Sequence, residues 1–394
     1  MTLPLEGTRI VDLTQFVAGP MATMILADQG ADVIKVEPPD GGDLTRRLGA
    51  GPVPGMSPTF VTTNRNKRSV AVDLRRPEGL GVVRRLVAAA DLFVENFRPG
   101  VVERLGLDEP SLRAVRSDLV YVSIRGFGES GPYAHKRAYD PVIQATSGLA
   151  DIQSDPETNR PRMMRLIVPD KVTALTAAQA MTAALLARSR TGEGQRVRLS
   201  MLDAVIAFLW PEGMAGHTYE RPDPRPARWL SKRDLIFETT DGFLTVGAVS
   251  DAEWRGLAEA VGHPEWIDDP RFRTPVDRLR NVDARLDLTA EAIRSRSTSE
   301  WLATLERAGV PCARVNRRED LFRDPQVAAN GLIVEREHPH AGRMREPRPP
   351  VRFGEQESPL RHPAPLLGEH TDEVLTEAGL GDEIDRLRGA GVVR

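Results

Sequence analysis

One aspartate stands in a context that suits covalent catalysis. Asp170 follows an apolar run in RLIVPDKVTALTAAQ and comes just before a long predicted helix. The simplest interpretation is structural, because an aspartate at a helix N-cap accepts hydrogen bonds from the free amides of the first turn. The helix N-terminus would also lower the pKa of the carboxyl group and keep it ionised. An ionised carboxylate in a dry cleft can act as a covalent nucleophile, so Asp170 is the candidate catalytic residue.

A short basic segment offers a second kind of chemistry. The residues NRNKR (64–68) hold three basic side chains in five positions. Composition alone favours a solvated loop. The alternative is a site for a small polyanion, such as the phosphates of a nucleotide, because arginine and lysine are the usual phosphate ligands.

The segment GFGESG (126–131) matches the pattern G-x-G-x-x-G and follows an apolar run, LVYVSI (119–124). A dinucleotide fingerprint lies in the first strand-to-helix turn, and a helix starts at its last glycines. Here Pro132 follows at once and no amphipathic helix begins, while the first such turn, DLTQFVAGP (12–20), holds a single glycine. We therefore reject a nicotinamide or flavin enzyme. We interpret GFGESG as a flexible loop whose glycine spacing is a coincidence of composition.

Motifs for metal and serine chemistry are missing from the sequence. It contains no H-E-x-x-H, no G-x-x-x-x-G-K-[ST] and no G-x-S-x-G, and its seven histidines are scattered. Cys312 is the sole cysteine, which excludes a cysteine metal cluster and an intrachain disulfide. Its apolar context, AGVPCARV, is typical of a small buried hydrophobic residue. We predict no metal site and no tightly bound cofactor.

The composition predicts a soluble cytoplasmic protein. Of 394 residues, 40% are hydrophobic and 28% charged, with a formal net charge of -3, so nothing indicates nucleic acid or an anionic membrane as a partner. The first residues, MTLPLEGTRIVDL, lack the basic and apolar regions of a signal peptide. The most apolar stretch, VTALTAAQAMTAALLA (172–187), is short and rich in alanine, which favours a core helix over a membrane span.

The elements that position these residues are predicted strands and helices, which alternate in the first third of the chain. This pattern predicts an open, mostly parallel sheet with helices on both faces and right-handed crossovers. The predicted strands are RIVDL (9–13), ADVIKVE (31–37), SVAVDL (69–74), DLFVENF (91–97) and LVYVSI (119–124). The predicted helices cover 20–30, 77–90 and 111–118.

The pattern changes after residue 125. A long helix (171–189) leads through the turn TGEGQ to a strand (197–201) and a further helix. Residues 211–231 are rich in proline, arginine and glycine, which is typical of a linker. The C-terminal segment is rich in proline at 346–365 and then predicts a helix at 371–378.

A small α+β module is predicted over about 232–330. LIFETTDGFLTVGA (235–248) indicates a β-hairpin that turns near Asp241 and Gly242. Two helices begin with the capping-box pattern, in which serine precedes glutamate by three residues. These pairs are Ser250 with Glu253 and Ser297 with Glu300.

Six segments, in order along almost the whole chain, resemble the class III CoA-transferase family, which includes formyl-CoA transferase, the carnitine CoA-transferases and the α-methylacyl-CoA racemases. They are VDLTQFVAGPMATMILADQGADVIKVEPPDGGD (11–43), NRNKRSVAVDLRRPEG (64–79), DLFVENFRPGVVERLGL (91–107), GFGESGPYAHKRAYDPVIQATSGL (126–149), VPDKVTALTAAQAMTAALLARSRTGEGQRVRLSMLDA (168–204) and PAPLLGEHTDEVL (363–375).

The resemblance implies a fold and an assembly. The fold is α/β, with a large Rossmann-like CoA-binding domain formed by 1–215 and completed by 331–394. Residues 216–330 would provide the linker and a smaller α+β domain. Two subunits would thread through one another as an interlocked homodimer.

The resemblance also implies an activity, the transfer of CoA from an acyl-CoA thioester to a free carboxylic acid. The family's nucleophilic aspartate falls on Asp170. The resemblance implies that the transfer proceeds through a mixed anhydride and then an aspartyl-CoA thioester on this residue. The turn Val17-Ala18-Gly19 would lie beside the thiol end of CoA. The positions that match CoA contacts are Val17, Ala18, Val72, Asp73, Leu74, Arg75, Asn96, Phe97, Arg98, Arg104, Arg137, Ala138, Tyr139 and Asp140. Arginine forks among them suit the three phosphates of CoA.

Two departures from formyl-CoA transferase bear on the substrate. Pro38 stands where that enzyme has a basic residue on the nucleotide, so the 64–68 segment is expected to supply the missing contact. The glycine-rich loop that covers its acyl site has no equivalent in 211–245. This argues against oxalate or formate as substrates.

The racemase branch of the family is the main alternative function. It needs a histidine at the position of Tyr139, and a tyrosine is a poor base near neutral pH because its pKa is about 10. His135 is the nearest candidate in sequence. A catalytically silent CoA-binding protein is a further alternative, against which the intact Asp170 argues.

Overall fold

The computed structural model of the protein describes residues 3–220, 234–354 and 360–394. The chain forms two compact units. The first consists of Met1–Gln153, Pro161–Gly213 and Asn330–Arg394, and the second of Ser154–Arg160 and Met214–Ala329.

A six-stranded parallel sheet is the centre of the first unit. Its strands are β1 (Arg9–Asp12), β2 (Asp32–Glu37), β3 (Lys67–Ala71), β4 (Leu92–Glu95), β5 (Val120–Arg125) and β6 (Arg196–Ser200). They lie in the order β3-β2-β1-β4-β5-β6, and every pairing is parallel. The predicted parallel sheet is confirmed. The strand order reverses between β1 and β4, which is the topological switch point of a doubly wound sheet.

Nine helices up to residue 213 are described for this unit. They are α1 (Ala18–Asp28), α2 (Pro58–Asn64), α3 (Pro77–Ala88), α4 (Val101–Leu105), α5 (Glu109–Arg113), α6 (Asp140–Thr146), α7 (Leu149–Ile152), α8 (Val168–Thr191) and α9 (Met201–Gly213). The long α8 lies against α1 on one face of the sheet. Its contact surface consists of small side chains, Ala174, Ala177 and Ala178, which let the helix backbones approach closely. None of the helices in the described parts of the chain is long and apolar enough to cross a membrane.

The second unit has a three-stranded antiparallel sheet of β7 (Ile236–Glu238), β8 (Phe243–Val246) and β9 (Cys312–Arg314). Its helices are α10 (Asp251–Ala260), α11 (Pro275–Arg280), α12 (Val282–Ile293), α13 (Thr298–Arg307) and α14 (Pro325–Ala329). The hairpin and both capping boxes are confirmed, because Ser250 and Ser297 each exchange hydrogen bonds with the glutamate three residues later. Cys312 is half-buried against the core of this unit.

The C-terminal segment returns to the first unit. It forms a hairpin of β10 (Ile333–His338) and β11 (Gly342–Pro347), and the helices α15 (Thr371–Glu377) and α16 (Ile384–Gly389). Val374, Leu375 and Leu387 pack into the same core cluster as Val82 and Leu86 of α3. The second face of the sheet is thereby buried partly by residues more than 270 positions away in sequence.

The structure describes only the first part of the predicted linker at 211–231, and most of that part is helical. Residues 211–213 continue α9, and 215–217 form a 3₁₀ turn. Positions 221–231 of the predicted linker lie outside the described residues.

Both interpretations of the NRNKR cluster are wrong. Arg65 pairs with Asp28 at 2.7 Å, and Lys67 with Asp12 at 3.0 Å, all with buried side chains. Arg68 is bound by three acids at the rim of the sheet. The cluster crosses from α2 into β3, and its charges pair with acids instead of facing solvent or phosphate. Those acids lie on neighbouring elements, so local composition gives no sign of them.

Candidate active site

A cavity of about 640 Å³ opens at the carboxyl ends of β1 and β4. This is the switch point of the sheet, where doubly wound proteins bind ligands because the flanking loops diverge. The loop after β1 contributes Gln15–Ala18, and the loop after β4 contributes Asn96–Pro99. Residues at the end of β5 and after it, the start of α6 and the first turn of α8 also line it.

The turn after β1 is held in an unusual conformation. Phe16 has a φ of 66°, in the left-handed region that non-glycine residues rarely adopt. Two hydrogen bonds join Gln15 to the Asn96 side chain, at 2.9 Å from the Gln15 N–H and at 2.8 Å to the Gln15 carbonyl. The Phe16 N–H donates to Asp43 Oδ1 at 3.2 Å. The turn is fixed from both sides, which compensates for its backbone strain.

A buried charge pair of Lys35 and Asp43 contacts this turn and stabilises it. Lys35 Nζ donates to Asp43 Oδ2 and to the Thr14 carbonyl, each at 2.9 Å. Both charged side chains are fully buried. Burial by itself would raise the pKa of the Asp43 carboxyl, but Lys35 outweighs it and the pKa falls below its ordinary value. Sequence reasoning missed this pair, which a lysine inside the apolar strand VIKV could have indicated.

A second buried pair lies next to the first. Burial alone would raise the pKa of Asp12, but the charges of Lys67 and Lys35 and two threonine hydroxyls lower it to about 2. Burial lowers the pKa of Lys67 to about 8. Lys67 Nζ also donates to the Asn64 side chain at 3.0 Å and to the Pro20 carbonyl at 2.8 Å. The start of α1 is therefore bound to the same buried network.

Asp170 lines the cavity from the first turn of α8. It is not the N-cap, because Ile167 occupies that position and makes no side-chain cap. The predicted lowering of its pKa is also wrong. Burial first, and the Asp140 charge second, raise the pKa of Asp170 to about 7, against an opposing hydrogen bond from the Ala18 N–H. Burial can shift a pKa by about 3–5 units, whereas a helix terminus is worth about 1 kcal/mol, which is less than one unit.

Asp140 is a buried neighbour of the candidate nucleophile. It opens α6, and its Oδ2 accepts the backbone N–H of Asp170 at 3.2 Å. Its Oδ1 accepts Gln144 Nε2 at 2.7 Å. The preceding Tyr139 is half-exposed, lines the cavity and packs edge-on against Phe16, with 5.3 Å between ring centroids.

Basic side chains supply positive charge to the cavity. Arg98, Lys136 and Arg137 line it. The Lys136 ammonium lies 3.6 Å from the centroid of the Tyr133 ring. Arg125 also lines the cavity, but it is buried and paired with Glu95 at 2.8 Å. Arg98 and Arg137 have no ion-pair partner among the residues that the structure describes, so their guanidinium groups are available to an anionic ligand.

The structure brings most of the predicted site residues to this cavity. Those that line it are Val17, Ala18, Asn96, Phe97, Arg98, Arg137, Ala138, Tyr139, Asp140 and Asp170. The predicted residues at the end of β3 and in α4 do not line it: Val72, Asp73, Leu74, Arg75 and Arg104. Asp73 instead pairs with Arg75 at 2.8 Å. Contacts from these five positions to the nucleotide end of CoA stay a prediction.

Sequence reasoning missed part of the cavity wall. Leu44, Leu48 and Thr59 line it, and both leucines are exposed. They follow β2 in a segment with a short 3₁₀ turn, for which no periodic pattern exists. Exposed leucines in the wall of a cavity indicate a place for the apolar part of a ligand.

The first glycine of GFGESG has a structural reason. A Cβ at Gly126, which lines the cavity, would lie 2.2 Å from the Cβ of Ala138. Gly128 and Gly131 have φ values of 94° and 88°. The interpretation of the pattern as a coincidence is therefore wrong. The rejection of a dinucleotide fingerprint agrees with the structure, because the next helix begins only at Asp140.

No group of three metal-ligating side chains occurs within the described ranges of the chain. The chemistry of this cavity is that of carboxyl groups, backbone amides and arginines.

The comparisons with known proteins agree with the geometry. The model of CoA-transferase family III matches residues 5–371. The mouse protein named succinyl-CoA:glutarate CoA-transferase is 36% identical over 99% of this chain and 90% of its own length. A succinate–glutarate CoA-transferase of Agrobacterium fabrum is 37% identical over 95% of each chain. The crystal structure of a CaiB/BaiF family protein from Brucella suis has a TM-score of 0.80 and 33% identity, over 96% of this chain and 100% of that chain. The chain belongs to CoA-transferase family III.

Proposed function

We propose that this CoA-transferase moves CoA between two carboxylic acids through covalent intermediates on Asp170. The observation that supports the proposal is the position of the Asp170 carboxyl in the wall of the switch-point cavity, beside the amide of Ala18. A buried carboxylate that is poorly solvated is a better nucleophile than one in water, and a fixed position adds to its reactivity.

The first half-reaction would transfer the donor acyl group. An Asp170 oxygen attacks the thioester carbonyl carbon, the carbon–sulfur bond breaks, and CoA leaves as a thiolate. The product is a mixed anhydride. The thiolate then attacks the Asp170 carbonyl carbon, the donor acid leaves as a carboxylate, and an aspartyl-CoA thioester remains.

The second half-reaction reverses these steps with the acceptor. The acceptor carboxylate attacks the aspartyl thioester and expels the thiolate, which gives a new mixed anhydride. The thiolate attacks the acceptor's carbonyl carbon, and the ionised Asp170 is regenerated. Every step passes through an oxyanion. The backbone amides at the start of the 11-residue α1, beside Val17 and Ala18, are the candidate donors to it.

We propose short dicarboxylic acids as substrates, with succinyl-CoA as donor and glutarate as acceptor. The relatives' names support this choice. The cavity also holds more positive charge than one carboxylate needs, since Arg98 and Arg137 have no acidic partner in the described structure.

The racemase alternative has no support in the geometry. It needs a second proton-transfer group opposite Asp170. Tyr139 lines the cavity at the relevant position, whereas His135 is exposed and does not line it.

The remaining expectations from the resemblance stay proposals. They are a large domain of 1–215 with 331–394, a linker and small domain of 216–330, an interlocked homodimer and a cytoplasmic location. Family membership supports them.

Trapping tests the nucleophile directly. The purified protein is incubated with succinyl-CoA, treated with hydroxylamine, digested and analysed by mass spectrometry. We expect a hydroxamate on Asp170 and transfer of CoA to radiolabelled glutarate. Asp203→Ala, which changes an aspartate in the first turn of α9, is the matched control and should transfer CoA like the parent.

If Asp170→Ala transfers CoA as fast as the parent, the assignment of Asp170 as the nucleophile is wrong. If transfer is absent and the α-proton of a 2-methylacyl-CoA exchanges with heavy water, the racemase function holds.

A further inference from the structure

A separate cavity lies within the second unit, between the hairpin β7–β8 and helices α10 to α12. Its volume is about 330 Å³. Its walls are largely apolar, with buried Phe237, Val246, Trp254, Leu257 and Leu286. Buried walls of this kind are typical of a pocket for a small organic molecule.

Two arginines also line this cavity, and they differ in their partners. Arg278 is buried and fully engaged, with Asp251 at 2.6 Å and the Phe272 carbonyl at 3.0 Å. Arg285 has one long hydrogen bond, 3.4 Å from Nη1 to the Ala248 carbonyl. Its Nε is buried without a hydrogen-bond partner, and within the described part of the chain no carboxylate pairs with it.

Arg285 is partly buried, and no negative charge among the described residues compensates it. Burial, and secondly the charge of Arg278, lower the pKa of the Arg285 guanidinium below its ordinary value. A guanidinium stays charged at any physiological pH. Buried charges in proteins are paired or bind a ligand, since removing an ion from water is costly. An anionic ligand in the cavity would pair with this charge.

The rest of the cavity limits the identity of that anion. One free guanidinium suits a single carboxylate, which it can bind through two parallel hydrogen bonds. The apolar walls suit a hydrocarbon chain. A volume of about 330 Å³ is at the lower end of the range for small-molecule pockets, which suits a short carboxylic acid of about six carbons.

We propose that this cavity is a second ligand site, in which Arg285 binds the carboxylate of a short-chain aliphatic acid and the apolar walls hold its chain. The site lies in the second unit, whereas Asp170 and the cavity around it lie in the first. It does not depend on the proposed function.

Calorimetric titration of the full-length protein with hexanoate tests the site. We expect saturable binding, at least tenfold weaker binding of acetate, which lacks the chain, and no binding of hexan-1-ol, which lacks the charge. Saturation of the catalytic cavity with the unreactive thioether S-hexyl-CoA should leave hexanoate binding unchanged.

Two variants assign the binding to this cavity. Arg285→Met removes the charge but keeps a side chain of similar length. It should reduce affinity for hexanoate at least tenfold, while thermal stability is kept or raised.

Gly247→Leu should also abolish binding of hexanoate. A Cβ at Gly247, which lines the cavity, meets no atom within 4 Å, so a side chain can start there without a clash and is expected to occupy part of the cavity. Gly81→Leu, at another open glycine on the exposed side of α3, is its control and should bind like the parent.

Three results would overturn the proposal. They are no saturable binding to the parent, displacement by S-hexyl-CoA, and unchanged affinity in Gly247→Leu or in folded Arg285→Met. Should Arg285→Met fail to fold, Gly247→Leu decides alone, because it leaves the arginine in place.

Discussion

The backbone N–H of Asp170 donates to the buried carboxyl of Asp140 at 3.2 Å, so the candidate nucleophile lies directly beside a second acid. Burial and this neighbour together raise the pKa of Asp170 to about 7. The protein therefore holds its nucleophile close to the midpoint of its titration at neutral pH. Four predictions follow from this pair and from the residues around it.

The rate of CoA transfer should depend on the ionisation of Asp170. Because only the carboxylate attacks, kcat/KM for succinyl-CoA should rise with pH through about 7 and level off above it. Asp140→Asn removes the smaller cause of the shift and should move the midpoint down by about one unit. The measurement is the pH–rate profile of both proteins. An unchanged midpoint in Asp140→Asn would show that the neighbouring charge does not act on Asp170.

Asp170 should also make stability depend on pH. Its folded pKa is raised, so the folded state binds more protons than the unfolded state between about pH 4 and pH 7, and stability falls as pH rises through this window. Asp170→Asn removes this cost. Because Asp170 is partly exposed, we reduce the free energy that corresponds to its pKa shift. We then expect Asp170→Asn to stabilise the protein by about 2 kcal/mol at pH 8 and by less than half of that at pH 5.

Chemical denaturation at the two pH values measures this difference. The control is Asp203→Asn, which changes an exposed aspartate in the first turn of α9. A stabilisation by Asp170→Asn that is equal at pH 5 and pH 8 would contradict the raised pKa.

The buried pair of Lys35 and Asp43 should serve positioning as well as stability. Lys35→Met leaves Asp43 as an unpaired buried charge and should cost about 3–5 kcal/mol. The double variant Lys35→Met/Asp43→Leu replaces the pair with apolar side chains of similar size and should recover most of the loss. Its kcat should stay at least tenfold low, because the acceptor of the Phe16 N–H and the donor to the Thr14 carbonyl are both gone.

The two readouts separate the two roles. Unfolding free energies and kcat are measured for the parent and both variants. If kcat returns together with stability in the double variant, the pair has a structural role only.

The contact between Gly126 and Ala138 should shape the cavity wall. Gly126→Ala places a methyl group 2.2 Å from the Ala138 Cβ, so the loop must shift, at a cost of about 1–3 kcal/mol. Because both residues line the cavity, KM for acyl-CoA should rise. Adding Ala138→Gly removes the clashing atom and should restore KM. Gly81→Ala, on an open helix surface, is the control and should leave KM unchanged. If adding Ala138→Gly does not restore KM, the clash between residues 126 and 138 is not the cause of the change.

The sequence by itself determined the parallel sheet and the order of its elements. Strands buried on both faces, such as LFVE and VYVSIR, are apolar over most of their length, and helix stops such as Gly30 and Gly192 are local signals. The capping boxes are also local, because their hydrogen bonds join residues three apart. Asp170 could be singled out because its position near the start of a long helix is visible in the chain.

Only the tertiary structure decided the electrostatics. Lys67 and Arg65 have the composition of a solvated loop, yet they are buried because Asp12 and Asp28 approach them from other elements. The pKa of Asp170 rises because residue 140, 30 positions earlier, is folded against it and water is excluded. The environment of Arg285, which no described carboxylate pairs with, likewise depends on the side chains that surround it. A charge is governed by its neighbours in space and by its access to water, and neither is written in the local sequence.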